Sequence, residues 1–597
     1  MNLLNELRNL FEPVLQSIAP DAAKVPEYAA MVKAVADAKN GDYQANFAMP
    51  LAKVLGQKPQ ELAKAIVDRV LPNEMLESAV VAGPGFINLK LKASWLAEQV
   101  QAIAGDERLG VAPVTTPRTF VIDLSGPNVA KPLHVGHLRS TIIGDSLVRI
   151  LRFLGHTVIG DNHLGDWGTQ FGILIHGYKH LRDDAAYHKD SVRELARLYV
   201  LIRQMAKASD DEDEGTGEIM EACRRETAKL HAGDAENTAL WNEFMPSCLE
   251  MLRPIYERLG VKIDVAHGES FYNPMLAGVV EDLLNKGVAV ESNGAIVVPN
   301  AKGVVPKETE MAKEEPPALI RKRDGAFTYT TTDLATIKYR METWKPDAML
   351  YVVDARQALH FKTLYANARR WGYDVELEHV QFGSILGKDK RPLKTRDGGT
   401  IELDVLLDEA TNRAKQKYEV NSAERRERGQ DVPELTATEM ANLANVVGIG
   451  AVKYADLSNH RTTDYIFDYD KMLATEGNTA TYMQYAYARC RSILRKAEYL
   501  RSAAKLHLGE LAERNLALQL LKFEETLVAA GDEYLPHLIA GYLWDLAKAL
   551  STFYEACPVL TAETPELKAS RLLLVDLTGR TIQHALSLLG IQTVERM

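Results

Sequence analysis

Only four cysteines occur in the 597 residues, Cys223, Cys248, Cys490 and Cys557, and no two of them form a C-x-x-C pair. That argues against a structural zinc site and against a disulfide framework, and it suits a reducing cytoplasm. No apolar run is long enough to cross a bilayer. Met1 to Ile18 lacks the basic-then-apolar layout of a signal peptide; its apolar spacing predicts an amphipathic helix, part of the folded protein. A Walker A pattern is missing, which disfavours ATP held by a P-loop. Nor is there an excess of positive charge: Lys and Arg number 70 against 81 Asp and Glu, a net charge of −11, so a polyanionic partner would have to be met by local basic patches. With 46% hydrophobic and 25% charged residues the chain reads as an ordinary soluble globular protein, long enough for several domains.

The most informative stretch is Ser125-Gly-Pro-Asn-Val-Ala-Lys-Pro-Leu-His-Val-Gly-His-Leu-Arg139. It separates a strand-like run, Thr119 to Leu124, from a helical pattern with apolar residues at Leu138, Ile143, Leu147, Ile150, Leu151 and Leu154; a second strand-like run follows at Thr157–Gly160. In an open α/β sheet such a loop lies at the carboxyl end of the strand, where ligands bind. The following helix N-terminus presents free N–H groups and a positive dipole end to anions. His134 and His137 flank Gly136, which lets a ligand approach the backbone. Two imidazoles so placed suit nucleotidyl transfer, donating to an α-phosphate as charge builds on it.

The stretch resembles the HIGH motif of class I aminoacyl-tRNA synthetases. Pro127-Asn-Val-Ala-Lys131, His134-Val-Gly-His-Leu-Arg-Ser-Thr141 and Gly165-Asp-Trp-Gly-Thr-Gln-Phe-Gly172 resemble the bacterial type of arginyl-tRNA synthetase. The likeness runs from Gly41-Asp-Tyr-Gln-Ala-Asn46 to the closing Val594-Glu-Arg-Met597. It implies an α/β fold with a Rossmann-like catalytic core, a small α+β N-terminal domain and an all-α anticodon-binding domain. The expected boundaries are 1–112, 113–472 and 473–597, with a mostly helical insertion over about 181–322. The N-terminal domain is implied to touch tRNA; from its residues alone a folding appendage is an equal alternative. The acidic run Ser209–Gly215 within the insertion reads as a solvated loop rather than a metal site.

The second half of the core is expected from strands at Ala326–Tyr329, Met349–Val353 and Val380–Ile385 and helices at Asp333–Trp344 and Ala358–Trp371. Directly after the last strand comes Gly387-Lys-Asp-Lys-Arg-Pro-Leu-Lys-Thr-Arg396, whose five cations have no apolar periodicity. A mobile cationic loop suits ATP, which must be clamped and then released. The loop stands where the family has its KMSKS loop, although the K-M-S-K spelling is missing. Resemblance implies Lys394 as the remaining lysine of that region and Lys131, ahead of the first histidine, as its compensation. ATP is then expected on His134, Gly136, His137, Lys388 and Lys394, with Mg²⁺ brought by ATP and no zinc; His134, His137, Lys131 and Lys394 form the catalytic set.

A guanidinium needs carboxylates and a flat surface. Resemblance implies Asp123, Tyr329 and Asp333 as its readers, and Asn128, His137 and Gln357 as partners of the amino and carboxylate groups. Asp333 also suits a helix N-cap. Tyr482, Tyr485 and Tyr487 are followed by Arg489, Arg491 and Arg495 on one predicted helix. Such an aromatic stripe is more often core, but the likeness to a C-terminal domain named for a D-A-L-R motif, spelled loosely here, points to RNA. Tyr485, Tyr487, Arg489 and Arg495 are the expected tRNA contacts. The expected activity is ligation of L-arginine to tRNA(Arg) through an adenylate, by a cytoplasmic monomer. The alternatives are a small-molecule nucleotidyltransferase of the H-x-G-H superfamily and a non-catalytic RNA-binding paralogue.

Overall fold

Phe120, Val121 and Ile122 are buried in the strand Thr119–Asp123, one of two inner strands of a four-stranded parallel sheet. The structure is a computed structural model and describes residues 2–35, 37–209, 217–299, 317–393, 401–429, 432, 434–501 and 504–597. Its contacts divide the chain into two compact units, 114–473 with 588–591, and 1–113 with 474–587 and 592–597.

In the first of these units the sheet runs Glu376–His379, Ala348–Tyr351, Thr119–Asp123, Thr157–Asp161. In register, Asp123 stands opposite Asp161 on one side and Tyr351 on the other. The helix Val135–Leu154 connects Thr119–Asp123 to its neighbour on one side, while Ala348–Tyr351 continues through the helix Ala358–Trp371 to the other. The chain thus reverses its direction of travel across the sheet between Asp123 and Tyr351, and the loops leaving those residues flank the crevice where such sheets bind ligands. Val135–Leu154 is buried almost all round: beside Leu138, Ile142, Ile143, Leu147, Ile150 and Leu151, the polar Arg139, Ser140, Thr141, Asp145 and Ser146 are buried too. Gly144 lets it close on the strand end, because a Cβ there would collide with Leu124.

The insertion holds helices Ser191–Ser209, Glu218–His231, Ala235–Leu259 and Leu276–Asn285, but it ends in an antiparallel sheet, Val290–Ser292, Ala295–Val298 and Ala318–Arg321, that the helical reading did not include. Most of the acidic run, 210–215, lies outside the described residues. Three other expectations change. Ala326–Tyr329 forms no strand; the helix expected from Asp333 already begins at Tyr329, with Thr328 as N-cap. Asp333 therefore sits inside the helix and is not its cap. The last strand of the sheet is Glu376–His379; Val380–Ile385 continues from it, with Phe382 bridged to Asp354 and Ile385 in a short pairing with Tyr465.

In the other unit, Leu3, Leu7, Phe11 and Leu15 form the buried stripe of the helix Leu3–Ile18. A four-stranded antiparallel sheet runs Val32–Ala34, Tyr43–Ala45, Phe86–Leu91, Leu76–Ala82, with the turn between its last two strands made by Gly83 and Gly85 at φ 51° and 124°. Helices Ala480–Lys496, Leu511–Leu521, Phe523–Asp532, His537–Ala556 and Pro565–Leu588 complete it. These two pieces, read from sequence as separate domains, share one unit through specific polar contacts. Arg514 pairs with Asp42 at 2.5 Å, the Tyr43 hydroxyl donates to Glu525 at 3.0 Å, and Arg580 donates to the Ala104 carbonyl at 2.8 Å.

Candidate functional site

The loop after Thr119–Asp123 is tied down at both ends. The Ser125 N–H donates to Ser140 Oγ, which in turn donates to the Val352 carbonyl, so the strand end, the helix and the next strand are joined by two short hydrogen bonds. Asn128 lies in a bridge to Gly165, where the Val129 N–H donates to the Gly165 carbonyl and the Gly165 N–H to that of Pro127. Any side chain at Gly165 would strike Asn128 Oδ1. The Pro-Asn-Val-Ala-Lys and Gly-Asp-Trp-Gly stretches are thereby one structural element.

His134 is the N-cap of the helix Val135–Leu154. Its Nδ1 accepts from the Gly136 N–H at 3.1 Å, while His137 Nδ1 accepts from the His134 N–H, also at 3.1 Å. The two rings lie 3.9 Å apart between centroids. This reciprocal cap consumes the Nδ1 lone pairs and so places the proton of each neutral imidazole on Nε2. Burial, then His134 and Lys131, push His137 down to about 3; burial, then Lys131, lower His134 as well. Both rings are therefore neutral donors at pH 7. The backbone donors of the first turn are not free, contrary to the sequence expectation. The N–H of Val135 goes to the Ile401 carbonyl, that of Gly136 to the His134 ring and that of His137 to the His134 carbonyl. An anion here is met by imidazole N–H groups and the helix dipole.

The segment that returns from the cationic loop pairs with the histidines themselves. His134 is bridged to Glu402, and the Leu403 N–H donates to the Leu133 carbonyl. The departing side is a tight turn: the Gly387 N–H donates to the Arg391 carbonyl, that of Leu393 to the Ile385 carbonyl, and Lys390 takes φ 60°. Lys388 is exposed and reaches Asp468 at 3.3 Å. Lys394 and Arg396 lie outside the described residues. Lys131 is half-buried, and burial followed by the charge of Arg203 lowers its pKa.

On the other side of the crevice, acids converge. Asp333 accepts from His360 Nε2 at 2.7 Å, and the Tyr329 ring stands edge-on to His360 at 4.9 Å. Tyr329 is 69% exposed, a ring open to a ligand. Gln357, also exposed, ends the loop after Ala348–Tyr351. Asp123 is already engaged: Arg340, fully buried, donates to Asp123 Oδ2 at 2.7 Å and to Asp161 Oδ2 at 2.9 Å. Burial pushes the Asp123 carboxyl above its usual range while Arg340 pulls it back. Sequence reasoning missed Arg340 and Glu269. Glu269 opens a short helix whose first N–H donates to the Leu164 carbonyl; burial raises its pKa, His163 opposes that, and Asp166 and Asp333 raise it further. The acids nearest Glu269 make this end of the crevice a place for a cation. Nothing local in His-Gly-Glu-Ser marks Glu269, which enters by tertiary packing.

Of the four expected RNA contacts, Tyr485 is 39% exposed and stacks under the Arg489 guanidinium, 5.1 Å from its ring. Tyr487 is buried, and its hydroxyl donates to Glu595 at 3.0 Å, so it has no open face for a base. The α-helical spacing sends these two rings to different sides. Arg495 lies 3.8 Å from Glu595.

Comparison with known proteins agrees with this architecture. Residues 99–469 match the model of the class I tRNA synthetase (R) catalytic domain, 5–91 the arginyl-tRNA synthetase N-terminal domain, and 483–597 the DALR anticodon-binding domain. The chain is 42% identical to an arginine--tRNA ligase of Rhodopirellula baltica, over 100% of both chains, and 48% identical to one of Escherichia coli, over 95% of both. Among solved structures, the arginyl-tRNA synthetase of Thermus thermophilus superposes with a TM-score of 0.81 at 27% identity, covering 100% of both chains. That of Plasmodium falciparum gives 0.81 at 28%, covering 100% of this chain and 99% of the other. With the catalytic model matched over most of the chain and identity above 40% along its whole length, this chain belongs to the class I arginyl-tRNA synthetase family.

Proposed function

We propose that the chain ligates L-arginine to tRNA(Arg) in two steps. An arginine carboxylate oxygen attacks the α-phosphorus of ATP, the α–β bond breaks and pyrophosphate leaves. A hydroxyl of the terminal ribose of tRNA then attacks the activated carbonyl, and AMP leaves. One observation carries the reading: a histidine pair locked in a reciprocal helix cap, with its Nε2–H groups left to donate, opens the helix that leaves the sheet at its switch point.

In this reading His134 and His137 donate to the α-phosphate with Gly136 beside it, and Lys131, Lys388 and Lys394 neutralise the β- and γ-phosphates. Asn128, His137 and Gln357 hold the amino and carboxylate groups. Tyr329, Asp333 and Glu269 read the guanidinium, with Asp123 presenting the charge that Arg340 leaves uncompensated. No covalent nucleophile is needed, because positioning and preorganised donors supply the rate. Mg²⁺ enters with ATP, held by phosphate oxygens and water. The C-terminal helices take the anticodon end of tRNA, with Tyr485, Arg489 and Arg495 as contacts. The enzyme acts as a cytoplasmic monomer; no helix of the described residues is long and apolar enough to cross a membrane.

ATP–pyrophosphate exchange with each amino acid, with and without tRNA, tests this. Exchange specific to arginine supports it. Exchange with a different small acid would favour a nucleotidyltransferase of other specificity, and RNA binding without any exchange a non-catalytic paralogue.

A further inference from the structure

We propose that His360 is a positioning residue for arginine selection, fixing both Asp333 and Tyr329 from the neighbouring helix. The inference rests on the reading of that pocket as the guanidinium site, and names what holds it in shape.

Tyr329 and Asp333 are four residues apart on the helix Tyr329–Thr343 and so share a face. With the Tyr329 ring 69% exposed, its own helix does little to hold it. The ring that meets it is His360, at 4.9 Å and 64°. The same imidazole makes the 2.7 Å contact to Asp333 Oδ2 through Nε2. One side chain therefore touches the flat surface and the carboxylate together. An Nε2–H donor on Oδ2 fixes the rotation of the carboxylate and leaves Oδ1 for a planar donor.

His360 is itself anchored. It lies in the first turn of the helix Ala358–Trp371, and its ring packs 5.2 Å from Phe361. Phe361 is buried and packs 5.2 Å from Tyr351, at the end of the sheet strand beside Asp123. A line of rings thus ties the guanidinium readers to the sheet that sets the position of the phosphate site. Preorganising a tyrosine and an aspartate in this way removes the rotamer entropy that arginine binding would otherwise have to overcome. His360 touches no reacting atom, and it acts through Asp333 and Tyr329.

The test compares His360→Asn with His360→Gln in the full-length enzyme, by pyrophosphate exchange in the presence of tRNA. The glutamine amide nitrogen reaches the place of Nε2, whereas the shorter asparagine amide does not. H360N is expected to raise the arginine KM about tenfold, with kcat and the ATP KM within about twofold, and H360Q to bring the arginine KM back to within about threefold of the parent. An unchanged arginine KM in H360N, a parallel rise in the ATP KM, or H360Q no better than H360N would each overturn the proposal. Asp333→Asn separates this from the underlying reading. If D333N leaves the arginine KM unchanged, the pocket is misassigned and the inference falls with it. If D333N raises it and H360N does not, the pocket stands and the role of His360 is wrong.

Discussion

Gly136 lies directly under the imidazole of His134: a Cβ built there would come within 2.8 Å of Cε1 and 2.9 Å of Nδ1. The glycine of H-V-G-H is thus required by the first histidine, whose ring must fold back over it to cap the helix. Its backbone is helical, so alanine is acceptable to the chain but not to the ring. Gly136→Ala is expected to leave the melting temperature unchanged or slightly higher, since alanine is favoured over glycine in a helix by about 1 kcal/mol. It should nonetheless slow adenylate formation by about 2–4 kcal/mol, the loss expected when a charge-stabilising donor is displaced, with little change in ATP affinity. Thermal melts and single-turnover adenylate formation measure the two signs independently. A drop in both together would mean the glycine serves the fold.

The strand–loop–helix–strand unit around Gly136 was legible because its signals are local: a short apolar run, a Pro-Asn loop, then helical periodicity. The start of the helix at Tyr329 was not. Thr330, Thr331 and Thr332 are β-branched and disfavour a helix on propensity, yet Thr331 donates to the Ile320 carbonyl and is buried by tertiary contact. Glu376–His379 is an edge strand with a single apolar residue, Leu377, a weaker signal than the Val380, Phe382 and Ile385 that follow it. The Arg340–Asp161 pair joins residues 179 apart in sequence, and the Asp333–His360 contact joins two helices. Motif chemistry therefore lay open in the sequence, while the partners that tune it had to wait for packing.

His137 should be silent in the pH range where free histidine titrates. His137 is pushed down to about 3, chiefly by burial, and His134 is lowered too. His137, held near 3, remains a neutral donor as pH falls from 8 to 6, while His134 takes up its proton below the unfolded 6.5. For stability the sign is the same as for a depressed carboxylate. The unfolded chain binds more protons below 6.5, so the contribution is present above that pH. It is lost on acidification towards 3, by up to about 1.4 kcal/mol per pH unit for His137. Ring resonances of labelled His137 should not move between pH 8 and 5. A midpoint near 6.5 would show that its ring is not held in the cap.

Asp333→Asn should damage arginine use more than ATP binding. It removes a half-buried charge from the acidic end of the crevice and leaves the phosphate side untouched. Losing a charged partner in a closed site costs about 3–5 kcal/mol. The readout is the arginine KM and kcat in exchange assays, with the ATP KM as internal reference; parent values in the variant remove Asp333 from the pocket.

Lys453 predicts a stability effect without an active-site change. It is buried, and its ammonium donates to the Leu259 carbonyl at 2.8 Å and the Gly590 carbonyl at 2.7 Å, beside Asp145 at 3.9 Å. Burial pulls its pKa down to about 8, the cost of placing a cation there. Its donors serve the end of the helix Ala235–Leu259 and the segment 588–591, while Asp145 belongs to the helix that carries the histidines. Lys453→Met leaves two buried carbonyls without their donor, at about 1–3 kcal/mol each. Denaturant melts should move by that amount while the arginine and ATP KM values of the folded fraction hold. A change below about 0.5 kcal/mol would mean that water or a neighbouring donor takes over both carbonyls.

Lys388 should be the first cation of the loop to leave its resting partner for ATP. Its ion pair with Asp468 is long, 3.3 Å, and the lysine is 74% exposed, so the pair contributes at most about 1 kcal/mol. Asp468 has other work: it accepts from the N–H groups of Asp470 and Lys471 and caps the short helix Tyr469–Met472. Losing the lysine therefore costs the fold little. A phosphate is the stronger partner, because a charge-assisted hydrogen bond to it is worth about 1.5–3 kcal/mol. The turn itself is closed by Gly387 on Arg391 and by Leu393 on Ile385, so the exposed lysine can change partner by rotating its own side chain. Lys388→Met is then expected to lower kcat/KM for ATP by about 10- to 100-fold, leaving the arginine KM and the melting temperature near the parent values. Asp468→Asn, which loosens the resting pair but keeps the lysine, should leave kcat/KM for ATP at or above the parent value. Equal losses in the two variants would show that the pair is needed for the loop's structure, and that Lys388 does not transfer to the nucleotide.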